Sequence, residues 1–172
     1  MNSNNKISKP GFLLSVSDMK RAKDFYVNVM EQKVLEEAGD DMVCFESMIA
    51  LQRGYAGIVE GSSYFAPRPT GAKIEMKSKP NNFQIAFEVE DLEYWVVKIK
   101  AVEGIEILHD VAEYHWGQHV FRFYDFDGHI IEIGEDLKIV AKRFWAQGLS
   151  VEEIARRFEA SVEYVQHLLS AE

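Results

Sequence analysis

Cysteine is nearly missing from this chain. Cys44 is the only one in 172 residues, so no intramolecular disulfide forms and nothing marks an oxidising compartment. Set in the apolar run Met42, Val43, Cys44, Phe45, it reads as a small core residue rather than a nucleophile. Basic residues are the minority charge: 19 Lys and Arg against 28 Asp and Glu leave a net charge of -9. A broad nucleic-acid surface or an anionic-membrane surface needs a basic face, so neither partner is expected. No apolar run approaches the ~20 residues of a membrane helix. The opening MNSNNKISKP lacks the apolar core of a signal peptide, and the cytoplasm is the expected location. No phosphate-cradling Gly-rich loop or Ser-His-Asp arrangement is legible.

What the chain does hold is an ordinary globular balance, 47% hydrophobic and 27% charged, enough for one core and a small addition. It also holds an internal repeat. Residues 11–18 (GFLLSVSD) and 84–91 (QIAFEVED) are short, partly alternating apolar stretches closed by Val-x-Asp. Each runs into a helical pattern, Met19, Ala22, Phe25, Tyr26, Val29 in one and Leu92, Trp95, Val96, Ile99, Val102 in the other. Asp18 and Asp91 stand where N-caps belong. Three strand-like runs follow each helix: Lys33 to Leu35, Met42 to Phe45 and Met48 to Gln52, then Ile105 to Leu108, Val120 to Tyr124 and His129 to Ile133. The expected fold is α+β, two βαβββ modules forming a curved, cup-shaped mixed sheet with outer helices and a small helical C-terminal extension. Strand parity places Phe12, Leu14, Val16 and Phe83, Ile85, Phe87, Val89 under the helices. Gly11, Leu13, Ser15 and Gln84, Ala86, Glu88 then line the cup.

The domain expectation follows the same marks. Residues 1–8 form a flexible N-terminus, 9–135 the paired modules, and 136–172 a helical appendage. Residues 53–82 are an inter-module loop whose Tyr55, Tyr64 and Phe65 either cover the cup, reach a partner subunit or belong to a mobile connector. In the appendage, Leu137, Val140, Ala141 and Phe144 form an apolar stripe that Gly148 ends. Ser150 and Glu153 make a capping box, and Ser161 opens a last helix. GLSVEEIARRFEASVEYVQHLL resembles a helix-turn-helix, but its last helix offers only Gln166 and His167 beside Glu163 to read bases. Packing or dimerisation is the favoured role. Lys142, Arg143, Arg156 and Arg157 are expected to point to solvent.

WGQHVFRFYDFDGHIIEI (116–133), with VSDMKRAKDFY (16–26) and AFEVEDLEYW (86–95), resembles the vicinal-oxygen-chelate superfamily. That superfamily includes glyoxalase I, extradiol dioxygenases, fosfomycin-resistance enzymes and bleomycin-resistance proteins. The resemblance spans roughly residues 9–135, and Phe126 stands where the family usually has Pro. Asp127 and Gly128 suit a three-residue hairpin turn with Gly left-handed. The resemblance implies metal ligands on the first and last strand of each module, which fall on Gly11, Ala50, Gln84 and Glu132. Gly11 and Ala50 carry no donor; a slipped register would bring Glu46 in for Ala50. Two donors leave a catalytic site short, so no cofactor is expected, with a divalent metal as the alternative. With the turn over 126–128, Arg122 falls opposite Glu132 on the cup face, where a guanidinium competes with a cation.

Four of the five histidines lie between residues 109 and 129, at spacings poor for a metal. His119 and His129 fall on the helix side by parity. His115 and Trp116, next to Tyr114, stand at the expected cup rim and suit stacking on a planar ligand. The residues expected to bind a small-molecule ligand are therefore Gln84, Glu132, Arg122, His115 and Trp116. Catalytic residues are not assigned. The reading favours a homodimeric, metal-free binding protein of the bleomycin-resistance kind over an enzyme. A metal-dependent lyase, isomerase or dioxygenase of the superfamily and a ligand-sensing regulator using the appendage stay open.

Overall fold

A computed structural model describes residues 11–53 and 83–171. The expectations for the N-terminal residues and for Tyr55, Tyr64 and Phe65 lie outside the described residues. The chain divides into two compact units between residues 79 and 80.

The first unit is strand, helix, then three strands: β1 (Phe12–Val16), α1 (Met19–Asp24), β2 (Val34–Ala38), β3 (Met42–Phe45) and β4 (Ile49–Arg53). Its sheet runs β1-β4-β3-β2, with β1 parallel to β4 and the other pairs antiparallel. The second unit repeats it with β5 (Gln84–Val89), α2 (Leu92–Lys100), β6 (Glu106–Glu113), β7 (His119–Tyr124) and β8 (Ile130–Glu135), ordered β5-β8-β7-β6. The α+β fold of two βαβββ modules is thus present, and the cap expectations hold in both. The Asp18 carboxylate accepts from the Arg21 amide at 3.0 Å, and that of Asp91 from the Tyr94 amide at 2.9 Å.

Parity sorts the faces as the apolar pattern requires except at the strand starts: Phe12 and Phe83, expected under the helices, are each 45% exposed, Phe12 opening β1 and Phe83 lying just before β5. Leu14, Val16, Val43, Phe45, Ile49 and Leu51 are buried with Met19, Ala22, Phe25 and Tyr26. In the second sheet, Ile85, Phe121, Phe123, Ile131 and Ile133 are buried with Val96 and Ile99 of α2, which packs on β7 and β8. Two local expectations are corrected. The helix after Asp18 does not run regularly to Val29, because Phe25–Val29 is π-helical; the widened turn still buries Phe25 and Tyr26. And β6 extends to Glu113 rather than ending at Leu108, carried past two irregularities in its pairing with β7.

The β7–β8 hairpin turns at residues 126–128 as expected, with Gly128 at φ 87° and the Asp125 amide donating to the His129 carbonyl. The buried Asp125 organises it, its carboxylate accepting from the amides of Asp127 and His129 and from His129 Nδ1 at 2.8 Å. Burial by itself lowers the His129 pKa, but the Asp125 hydrogen bond and charge, with Asp127 behind, raise it above its ordinary 6.5. A raised folded-state value stabilises the fold fully below pH 6.5 and stops doing so as pH climbs through that value. The stability of the natural chain over a His129→Gln chain is therefore expected to shrink across that window. Urea midpoints for both chains from pH 5 to 8 check it, and a difference constant with pH would refute it.

After β8 come α3 (Leu137–Ala146), α4 (Val151–Phe158) and α5 (Val162–Ser170), in the same compact unit as the second module. Asp136 caps α3, and the Ser150–Glu153 capping box and the Ser161 cap form as read. Val140, Ala141, Phe144, Ile154, Ala155 and Val165 close into a core of their own. One expectation fails here. Arg143 does not point to solvent: it donates to both Glu135 oxygens and to the Gly117 carbonyl, because α3 starts directly after β8 and lies beside the β6–β7 turn.

Candidate functional site

On the face of the second sheet away from α2, β5, β7 and β8 each contribute one polar side chain to a common centre. β5 begins with Gln84, which is exposed. β7 brings Arg122 and β8 brings Glu132, and the two pair across the strands as the turn register requires. Glu132 is 8% exposed, unusual for a carboxylate, and its Oε2 takes every partner it has. The Arg122 Nη2 forms an ion pair with it, Tyr114 Oη donates at 2.9 Å, and Gln84 Nε2 reaches it at 3.3 Å. Arg122 also donates from Nε to Gln84 Oε1 at 3.0 Å and sets its guanidinium over the Tyr114 ring, 5.3 Å from the centroid. His109 completes the set. Its Nδ1 lies 2.6 Å from the Asp110 carbonyl and donates to it, which leaves Nε2 to accept from Arg122 Nη1 at 3.0 Å. The guanidinium is thus held by an anion, an amide oxygen and an imidazole. Among the described residues, Glu132 Oε1 has no partner.

Beside this centre the β6–β7 turn supplies an aromatic wall. Tyr114 and Trp116 are half-buried, with ring centroids 4.2 Å apart, and Trp116 Nε1 donates to Gln118 Oε1 at 3.0 Å. His115 is in edge contact with Trp116, but it is exposed and its Nε2 faces Glu159 at the end of α4, 3.4 Å away. Of the five residues expected at the site, the structure gathers Gln84, Arg122 and Glu132 directly and brings Trp116 in through Tyr114. It turns His115 toward the appendage.

Sequence reasoning placed Tyr114 on the rim without foreseeing its hydroxyl on Glu132, and it missed His109. The pairing irregularities of β6 fall between Ile107 and His109 and between His109 and Ala112, so a parity count from either end fails there. The signal that was available is the run of polar residues inside a strand-like stretch, His109 and Asp110.

Register also settles the first-module equivalents. Ala50 pairs with Leu13, and Glu132 pairs with Ala86, the residue at Leu13's place in the repeat. Ala50, not Glu46, is therefore the counterpart of Glu132. Gly11 just precedes β1. Neither carries a donor, and among the described residues no three His, Cys, Asp or Glu side chains stand together to hold a metal ion.

The sheet order, the hairpin at 126–128 and the chain pattern define a class. The glyoxalase-like domain model matches residues 10–138, and the chain belongs to that family, within the vicinal-oxygen-chelate superfamily. A protein of unknown function from Agrobacterium tumefaciens is similar, with 28% identity over 78% of this chain and 98% of its own and a TM-score of 0.58. Two further solved structures share the fold. Lactoylglutathione lyase from Agrobacterium tumefaciens has 18% identity, covers 77% of this chain and 96% of its own, and gives a TM-score of 0.54. The fosfomycin resistance protein FosX from Listeria monocytogenes, complexed with Mn(II) and sulfate, has 19% identity, covers 81% and 98%, and gives a TM-score of 0.54. No curated protein matches the chain.

Proposed function

We propose that this chain binds a small, planar molecule carrying a hydrogen-bond donor, on the second-module face around Glu132, without a resident metal. One observation carries the reading: Glu132 is buried and its partners among the described residues all sit on Oε2, which leaves Oε1 an unfilled acceptor among them. A buried carboxylate oxygen without a donor costs free energy, and a ligand N–H or O–H removes that cost. The Tyr114 and Trp116 rings supply the flat apolar surface that ligand pockets pair with a few convergent polar groups. The donor set does not fit a metal. Gln84 and Glu132 are two ligands where three or more are usual, Gly11 and Ala50 add none, and Arg122 already neutralises Glu132. We read the chain as a homodimer taking no nucleic acid, since Arg143 and Arg157 of the appendage are engaged within the chain. Light scattering, set against the 19.7 kDa of one chain, checks the pairing.

Calorimetry against Mn(II), Ni(II) and Zn(II) is expected to show no stoichiometric binding. Benzamide, a neutral ring with N–H donors, is expected to bind weakly and to lose that binding in a Glu132→Leu chain. One metal per chain, lost on the same substitution, would replace this reading with a metal enzyme of the superfamily.

A further inference from the structure

The turn that carries the aromatic wall is held from outside the module as well as from within it. Tyr114 and Trp116 sit on a five-residue turn between β6 and β7, closed by the Tyr114 amide on the Gln118 carbonyl at 2.8 Å and the Gly117 amide on the Tyr114 carbonyl at 2.7 Å. Within the turn the Trp116 indole also donates to Gln118, but these bonds tie the turn only to itself and do not set its position on the sheet. The appendage supplies the rest. Arg143 of α3 donates to the Gly117 carbonyl at 2.5 Å and grips Glu135 with both terminal nitrogens. Glu135 Oε2 in turn accepts from the His119 amide and from His119 Nδ1, both at 2.8 Å, fixing the first residue of β7. Gln118, which holds the Trp116 indole, donates to the Glu135 carbonyl at 2.7 Å.

Packing closes the same joint. Gly117 has φ 90°, and a Cβ there would stand 2.2 Å from the Phe144 ring, so the turn lies flat on α3. Arg157 of α4 also lies over that ring, 4.3 Å from its centroid, and reaches Glu113 at the end of β6, 3.6 Å away. His115 meets Glu159. The last residue of β6, the turn and the first residue of β7 are therefore each tied to α3, α4 or Glu135.

We propose that the C-terminal helices are a brace for the ligand site, with Arg143 the positioning residue that sets the Tyr114–Trp116 wall against Glu132. The inference rests on the binding role given to that wall, but its geometry stands apart from any ligand. The appendage is then part of the site's machinery, and whatever loosens or grips α3 and α4 changes the site. Acid is one such agent. Burial raises the Glu135 pKa, but the Arg143 and His119 hydrogen bonds more than reverse this, so its carboxyl sits below the usual range. The Arg143–Glu135 ion pair thus survives mild acid and is lost as pH falls through that depressed value, while the Arg143 bond to the Gly117 carbonyl does not titrate.

The test uses full-length chain carrying 5-fluorotryptophan, with the signals of Trp95, Trp116 and Trp145 assigned by Phe substitutions. Arg143→Ala is expected to shift and broaden the Trp116 signal while leaving that of Trp95, on α2, in place. Arg143→Lys, which keeps one donor arm, is expected to restore part of the shift and serves alone if the Ala chain does not fold. Benzamide affinity is expected to fall about three- to tenfold in Arg143→Ala, the cost of re-ordering one or two freed side chains. An unmoved Trp116 signal in a folded Arg143→Ala chain overturns the brace, whatever benzamide does. If the natural chain ignores benzamide yet the Trp116 signal still moves, the binding reading fails and the brace stands.

Discussion

Phe144→Ala is expected to remove about 3–5 kcal/mol of stability, the range for deleting a buried aromatic ring. The ring is 4% exposed and serves two neighbourhoods at once. It belongs to the core that Ile154 and Val165 form with α3, and it stacks edge-on with Phe158 at 6.2 Å. On its other side it supports Gly117 and carries the Arg157 guanidinium. The cavity left behind has little room to collapse. Gly117 is held at positive φ, and Arg157 is tethered to Glu113. Against a total stability of about 5–15 kcal/mol for an ordinary domain, such a loss is large. Trp145 is the internal control, being next in sequence but 54% exposed, and Trp145→Ala is expected to stay within about 0.5 kcal/mol. Urea unfolding followed by far-UV circular dichroism measures both. A Phe144→Ala cost below about 1 kcal/mol would mean the appendage is only loosely attached.

That prediction depends on a contact the amino-acid pattern does not announce. The apolar stripe of α3 and the caps at Ser150 and Ser161 are local facts, set within one or two helical turns, so they could be read directly. The same holds for the two strand-helix-strand modules, whose period of two and then of three or four is written along the chain. The pairing of Arg122 with Glu132 was legible because a short turn of known type fixes the register on both sides. His109 was not, because irregular pairing in β6 resets the parity on which the count relied. Arg143 was misplaced for a different reason. A long polar side chain on a helix reads as solvated until the helix is docked, and only tertiary structure puts Glu135 and the Gly117 carbonyl within its reach. His115 shows the reverse. Its neighbours Tyr114 and Trp116 turn toward the site, while it points to Glu159. Neither side chain's direction follows from composition.

The second large effect is expected at the centre of the site itself. Glu132→Ala removes the anion from a half-buried guanidinium, and breaking a buried pair from one side costs about 3–5 kcal/mol because the other charge stays behind. Arg122 keeps Gln84 Oε1 and His109 Nε2 as neutral acceptors, so the lower end, about 3 kcal/mol, is the expected value. Tyr114 also loses its acceptor. Glu132→Gln, which retains an oxygen for Tyr114 and Gln84 but no charge, is expected to cost about half as much. The decisive chain is the double Glu132→Leu, Arg122→Leu. If the pair is a polar device that the fold tolerates for the sake of a ligand, replacing both ends with apolar side chains recovers most of the loss. The surrounding face, with Val120, Tyr124 and Ile130 buried, is already apolar. Urea midpoints of the two single chains and the double measure the coupling directly. Recovery of stability together with loss of benzamide binding would separate what the pair does for the site from what it does for the fold. A double chain as unstable as Glu132→Ala would instead make the pair a structural tie, and the unfilled Oε1 would lose its meaning as a ligand contact.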